Sequence, residues 1–149
     1  MTTKEHIHTL EEMAALLEDS GFHVAQGDQF LAVKVPHAGH EPKNALLTID
    51  EIRNKLIISC RVARYGDIQE NRLSAFQAAL LDANTRIDPF AFATITDQDD
   101  PDIGSSDNWV VVLIESMPMG DISPDELNTA MTDLAHALPI ADELLTAIV

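Results

Sequence analysis

The run Trp-Val-Val-Val-Leu-Ile-Glu at positions 109–115 limits the possible folds more than any other stretch. It is the most apolar run in the chain and is rich in β-branched residues, which predicts a strand. In a strand, Trp109, Val111 and Leu113 point one way and Val110, Val112 and Ile114 the other. A strand with one face in water would alternate apolar with polar residues. Here both faces are apolar, so both require cover, from helices or from a second copy of the chain. The expectation is that the protomer's own helices furnish one side and a partner copy the other.

The rest of the chain supplies the parts. Thr9 and Glu12 have capping-box spacing, and Leu10, Met13, Ala14 and Leu17 form one helical stripe. With Gly21 as the residue after the cap, they predict a helix over 9–20. A short strand over 30–35 places Leu31, Val33 and Val35 on one side. Pro36, Gly39 and Pro42 make 36–44 a loop. Segments 45–52 and 56–65 read as a hairpin through 53–55, with Leu56, Ile58, Cys60 and Val62 facing the core and Arg61 facing away. Leu73, Phe76, Leu80, Ala83 and Ile87 predict a helix over 71–87, ended by Asp88-Pro89. A strand over 90–96 and an acidic loop over 97–108 lead into the organising strand, and these last two strands pair as a hairpin. Ser123, Pro124 and Glu126 mark the start of a final helix, which Pro139 kinks or splits before it continues through Ile148. The order is α-βββ-α-ββ-α. It describes one α+β domain over residues 1–149, a mostly antiparallel sheet of about five strands flanked by helices.

Charge narrows the function. The formal net charge is −16, and every Lys and Arg precedes position 87. Such a surface repels phosphate backbones and anionic membranes, which argues against nucleic-acid or membrane binding. It attracts basic or amphipathic polypeptides. No apolar run approaches the roughly 18 residues of a membrane span. The N-terminus lacks the apolar segment of a signal peptide, and the lone Cys60 has no internal disulfide partner. A cytoplasmic protein is the reading.

Few residues invite chemistry. Asp97, Asp99, Asp100 and Asp102 suggest calcium, but from Asp97 the EF-hand pattern meets Pro101 at position 5, Asp102 at 6 and Asn108 at 12, and fails. His37 and His40, beside Glu41, are a zinc-type pair, with His6 and His8 near the N-terminus. Gly39 separates the pair and no cysteine lies near, so the reading is an ordinary surface loop with no metal. Cys60 falls mid-strand on an apolar face, as a core residue rather than a nucleophile. No nucleophile elbow, phosphate-binding glycine loop or Cys-x-x-Cys occurs. The chain therefore reads as a non-enzyme with no catalytic residues and no cofactor. A small metal-dependent enzyme using the His37/His40 loop is the rival from a different class.

Several stretches resemble type III secretion chaperones and the related YbjN-like domains. Leu10 to Met13 and Leu17 to Phe22 resemble their opening helix and its exit. Leu80-Leu81-Asp82-Ala83-Asn84 resembles the end of their central helix. Trp109 to Ile114, then Ile122-Ser123-Pro124-Asp125-Glu126-Leu127, resembles their last strand and closing helix. The resemblance spans the chain and implies a non-catalytic homodimer that holds an extended segment of a client protein. A YbjN-like regulatory domain acting on a fixed partner is the alternative. The loops at 36–44 and after Thr96 are longer than that family's. The expected partner contacts are Leu31, Val33, Val35, Ile57 and Met119, by strand addition or helix-in-groove docking.

Overall fold

The computed structural model describes residues 7–37 and 39–148; Lys4, His6 and Val149 lie outside them, as does the side chain of Ile148. The element order is α1 (Leu10–Asp19), β1 (Val24–Gly27), β2 (Phe30–Val35), β3 (Lys43–Asp50), β4 (Lys55–Arg64), α2 (Leu73–Ala83), β5 (Ala91–Ile95), β6 (Val110–Pro118) and α3 (Pro124–Ile148). The strands form one antiparallel sheet in the order β1-β2-β3-β4-β6-β5. The domain is α+β, as expected, with six strands in place of about five. The additional strand is β1. Three of its four residues are exposed, so it carries no apolar alternation to announce it.

Local chemistry explains the helix ends. The Glu12 backbone N–H donates to Thr9 Oγ1 at 3.1 Å, which caps α1. At its other end the Phe22 N–H reaches the Leu17 carbonyl and the Gly21 N–H reaches the Glu18 carbonyl. Those paired bonds are a Schellman ending, with Gly21 at φ +97° in the left-handed region that it requires. The Glu126 N–H donates to Ser123 Oγ at 3.2 Å, capping α3 as the sequence predicts. Pro139 does not split α3, which runs as a single helix through it. Ala137, Leu138 and Ala141 around it are buried, so tertiary packing holds the helix where a backbone bond is lost. The middle helix is shorter than predicted. A 3₁₀ turn at Glu70–Arg72 precedes it, and it ends at Ala83. There the side chain of Asn84, the C-cap, reaches out of the helix, and its Oδ1 accepts the Phe92 N–H at 2.6 Å.

All three helices lie on one side of the sheet and share one core with it. Met13, Leu17, Phe76, Leu80, Leu127, Met131 and Leu134 pack there with Leu31, Leu47, Ile58 and Leu113 from the strands. The register carries one face of every strand into this core. Val33 pairs with Ala45, Leu47 with Ile58, Cys60 with Leu113, and Leu113 with Phe92. The alternate residues form a second face on which no helix of the described residues lies.

The organising strand is an interior strand of this sheet, between β4 and β5. Val111 and Leu113 are fully buried beneath the helices. Val110 and Val112 point to the other face and do not belong to the main core, yet they are only 6% and 2% exposed. This corrects the expectation that a partner copy must cover them. Short side chains on an interior strand are shielded by their cross-strand neighbours, Arg64 and Ile95 for Val110 and Arg61 and Ala93 for Val112.

Candidate functional site

Apolar surface remains open on the helix-free face of the sheet, apart from single exposed residues at Ile52 in the β3–β4 turn and Leu81 on α2. Phe30 and Leu46 are 37% and 41% exposed, and Ile57 and Ile114 are half-buried beside them. The pairings Phe30 with Thr48, Thr48 with Ile57, Leu46 with Ser59, and Ser59 with Ile114 set these side chains on one surface across four strands. Phe30 is held in place by its cross-strand partner Gly27: a Cβ built on Gly27 would lie 2.2 Å from the Phe30 ring, so the ring lies over the bare backbone. The charges here oppose the molecule's overall charge. Lys34, Lys55, Arg61 and Arg64 belong to this face by register, against Asp50. Arg64 pairs with Asp67 at 3.2 Å in an exposed contact, the kind that water and salt weaken. An acidic chain thus presents an apolar surface set among basic side chains.

The sheet's two edges differ in how open they are. On β5 the Phe92 N–H is already taken by Asn84, and Tyr65 Oη bonds to Thr94 Oγ1 and Gln77 Nε2, both at 3.1 Å. That edge is blunted against strand addition. The β1 edge borders an open depression lined by Glu18, Phe22, His23, Val24 and Lys34.

Groups able to do chemistry sit elsewhere. His37 is 6% exposed and its Nε2 contacts Asp142 Oδ2 on α3, while His40 Nε2 lies 3.6 Å from the same oxygen. The His37 and His40 rings stack with centroids 4.4 Å apart. Gly39, at φ +78°, belongs to the turn closed by the His40 N–H on the His37 carbonyl at 2.9 Å. The glycine that stands between the histidines in sequence is part of what gathers them. Asp142, 105 residues from His37, was not connected with the loop by any sequence pattern. Burial pushes the Cys60 thiol up to about 11, so it stays protonated near neutral pH, as a core residue should. In the acidic loop, Asp99 Oδ2 accepts the Thr96 N–H and Asp100 Oδ1 accepts the Asp102 N–H. Those aspartates shape turns.

No protein-family model and no curated protein sequence matches the chain. Among solved structures it is similar to YbjN from E. coli, described as a candidate transcription regulator. The TM-score is 0.57 and the identity 14%, over 90% of this chain and 94% of that one. It is similar also to a chain of the HopA1–SchA chaperone–effector complex, at a TM-score of 0.54 and 14% identity, over 90% of each chain. The chain has the YbjN and type III secretion chaperone-like fold.

Within this chaperone-like fold the residues expected to touch a partner are divided between the two faces. Leu31, Val33 and Val35 have no exposed surface, and Met119 is 6% exposed. All are core residues, so in this conformation they have little or no side-chain surface to offer a partner. Ile57 alone among the five lies on the helix-free face. The physical reason is the two-residue period of a strand: choosing the more apolar side of β2 chooses the side that the helices cover. Phe30 and Leu46, which the sequence reading did not single out, are large exposed apolar residues at the alternate positions. Among the described residues, no helix lies on this chaperone-like sheet at the place where they point. Among the described residues, no helix is long and apolar enough to cross a membrane.

Proposed function

We propose that this protein is a non-enzymatic polypeptide-binding module whose helix-free sheet face holds an extended client segment rich in apolar and acidic residues. The observation that carries this reading is the apolar surface of Phe30, Leu46, Ile57 and Ile114 set among Lys34, Lys55, Arg61 and Arg64. Exposed apolar side chains lose contact with water on binding, and the flanking cations select the charge of the occupant. The fold supports the reading, since one of its structural neighbours comes from a chaperone–effector complex.

A second copy of the chain is the competing occupant, because the remaining surface carries the acidic excess. A symmetric dimer joined face to face would oppose basic rims to each other, which is unfavourable. The proposal therefore assigns this face to a client and any homodimer contact to another surface. It also places the protein in the cytoplasm, where such a client would be held before use.

Panning a random peptide display library on the purified protein tests this. Selected peptides should mix apolar and acidic residues. Leu46→Asp and Ile57→Asp should each weaken binding of a selected peptide about tenfold or more, the scale of a central interface contact. Leu81→Asp, at an exposed α2 position, should not. Peptides that bind both sheet variants unchanged overturn the reading. A wild-type dimer by light scattering that dissociates on Leu46→Asp assigns the face to a second copy instead. Selection of one narrow consensus would mark a regulatory domain with a fixed partner, whereas tolerance of many sequences would mark a client-holding chaperone.

A further inference from the structure

We infer that His37, His40 and Asp142 form a divalent transition-metal site of the Zn²⁺ type that fastens the β2–β3 loop to α3. One donor atom from each of the three residues can be chosen so that all lie within 4.8 Å of one another. A tetrahedral ion bound at about 2.0–2.2 Å holds its ligands roughly 3.4 Å apart, so small side-chain rotations complete the set. The donors are built into the fold. The turn containing Gly39 sets both imidazoles on one side, their rings stacked, and Asp142 comes from the second half of a helix packed on the same core. His37 is buried and its Nδ1 has no hydrogen-bond partner among the described residues, while the His40 side chain is 59% exposed. One ligand is therefore fixed in place and the other can close from solvent.

The donor chemistry selects the ion. Two imidazoles and one carboxylate suit Zn²⁺ or Co²⁺, whereas Ca²⁺ and Mg²⁺ prefer all-oxygen shells. Three protein ligands leave a fourth position for water. The role that follows is mechanical: an ion here ties a proline- and glycine-interrupted loop to a helix 105 residues away in sequence. It is independent of the peptide-binding reading, because α3 lies on the covered side of the sheet.

The test starts from the full chain stripped with chelator and titrated with Co²⁺, then Zn²⁺. The expected result is one equivalent of Co²⁺ with visible absorption bands of tetrahedral coordination, displaced by Zn²⁺. His40→Ala, at an exposed side chain that the fold does not need, should remove those bands and weaken binding by at least about tenfold. Asp142→Asn should do the same. At about 100 times its Kd, Zn²⁺ should raise Tm by roughly 5–10 °C in the wild type and not in His40→Ala. Absence of saturable one-equivalent binding overturns the inference. So does binding that His40→Ala leaves intact, which would assign the ion to other histidines such as His23 or His136. Loss of peptide binding would not bear on it, and loss of metal would not bear on peptide binding.

Discussion

Leu46 and Leu47 are the same residue type, adjacent on one strand, and they live in opposite surroundings. Leu47 is fully buried beneath the helices, whereas Leu46 is 41% exposed on the bare face. The whole sheet repeats this division. One face is continuous with a three-helix core, and the other is a half-covered apolar surface in a field of basic side chains. The comparison teaches that apolar content along a strand does not say which side is the core. Where the helices land decides it, and α1, α2 and α3 all land on one side. The covered face should therefore govern stability and the bare face binding.

The sharpest way to break this comparison is to put the same charge on each side. Val33→Asp buries a carboxylate with no partner and should cost more than about 4 kcal/mol, enough to unfold a marginally stable domain. Ile57→Asp, on the bare face, should leave the chain folded by circular dichroism. If both variants fold equally well, the assignment of faces is wrong. Next in size is the leucine pair. Leu47→Ala should cost about 2–5 kcal/mol in urea unfolding, and Leu46→Ala should stay within about 0.5 kcal/mol. A similar loss for both would mean that the bare face is covered in solution, by a second copy for instance, and the loss at Leu46 would then depend on protein concentration. Smaller still is the cap of the covering layer. Ser123→Ala removes the oxygen that accepts the Glu126 N–H and should cost about 1 kcal/mol, without changing binding at the bare face.

How much of this was legible in the sequence follows from which signals are local. The caps at Thr9 and Ser123, the glycine exit of α1, the alternation in β4 as far as Arg61, where a bulge at Val62 interrupts it, and the valine-rich strand are statements about a few neighbouring residues, and these are found in the structure. What was not legible needed three dimensions. β1 exists because β2 offers it a pairing edge, although its own residues are mostly exposed. Val112 is buried on the bare face because it is short and lies between Arg61 and Ala93, neighbours that only the strand order supplies. The contacts expected on β2, Leu31, Val33 and Val35, lie beneath the helices, since nothing within Phe30–Val35 says where a helix from elsewhere will lie. The histidine pair was visible, but its third donor sits on a helix beyond the whole sheet.

The smallest expected effect is also the one that tests the covered face from within. Glu115 breaks its rule: by register it shares that face with Ile58, yet it is a carboxylate. Its Oε2 is buried with no hydrogen-bond partner among the described residues. Burial raises its pKa above the usual value of 4.5, and the nearby carboxylates Asp133 and Asp88 raise it further. The native state therefore holds this proton more tightly than the unfolded chain does. The stability that this confers is present in full below about pH 4.5 and is lost as pH rises through the raised native value. Glu115→Gln keeps the shape and stays neutral at every pH. Its stability in urea should match the wild type at low pH and exceed it at pH 7, with the difference growing between. A carboxylate placed one residue along, in Ser116→Glu, points to the bare face at an exposed position and should produce no such growing penalty. If Glu115→Gln gives a flat difference across pH, Glu115 is solvated after all, and the covered face is less closed at its α3 end than the rest of the sheet.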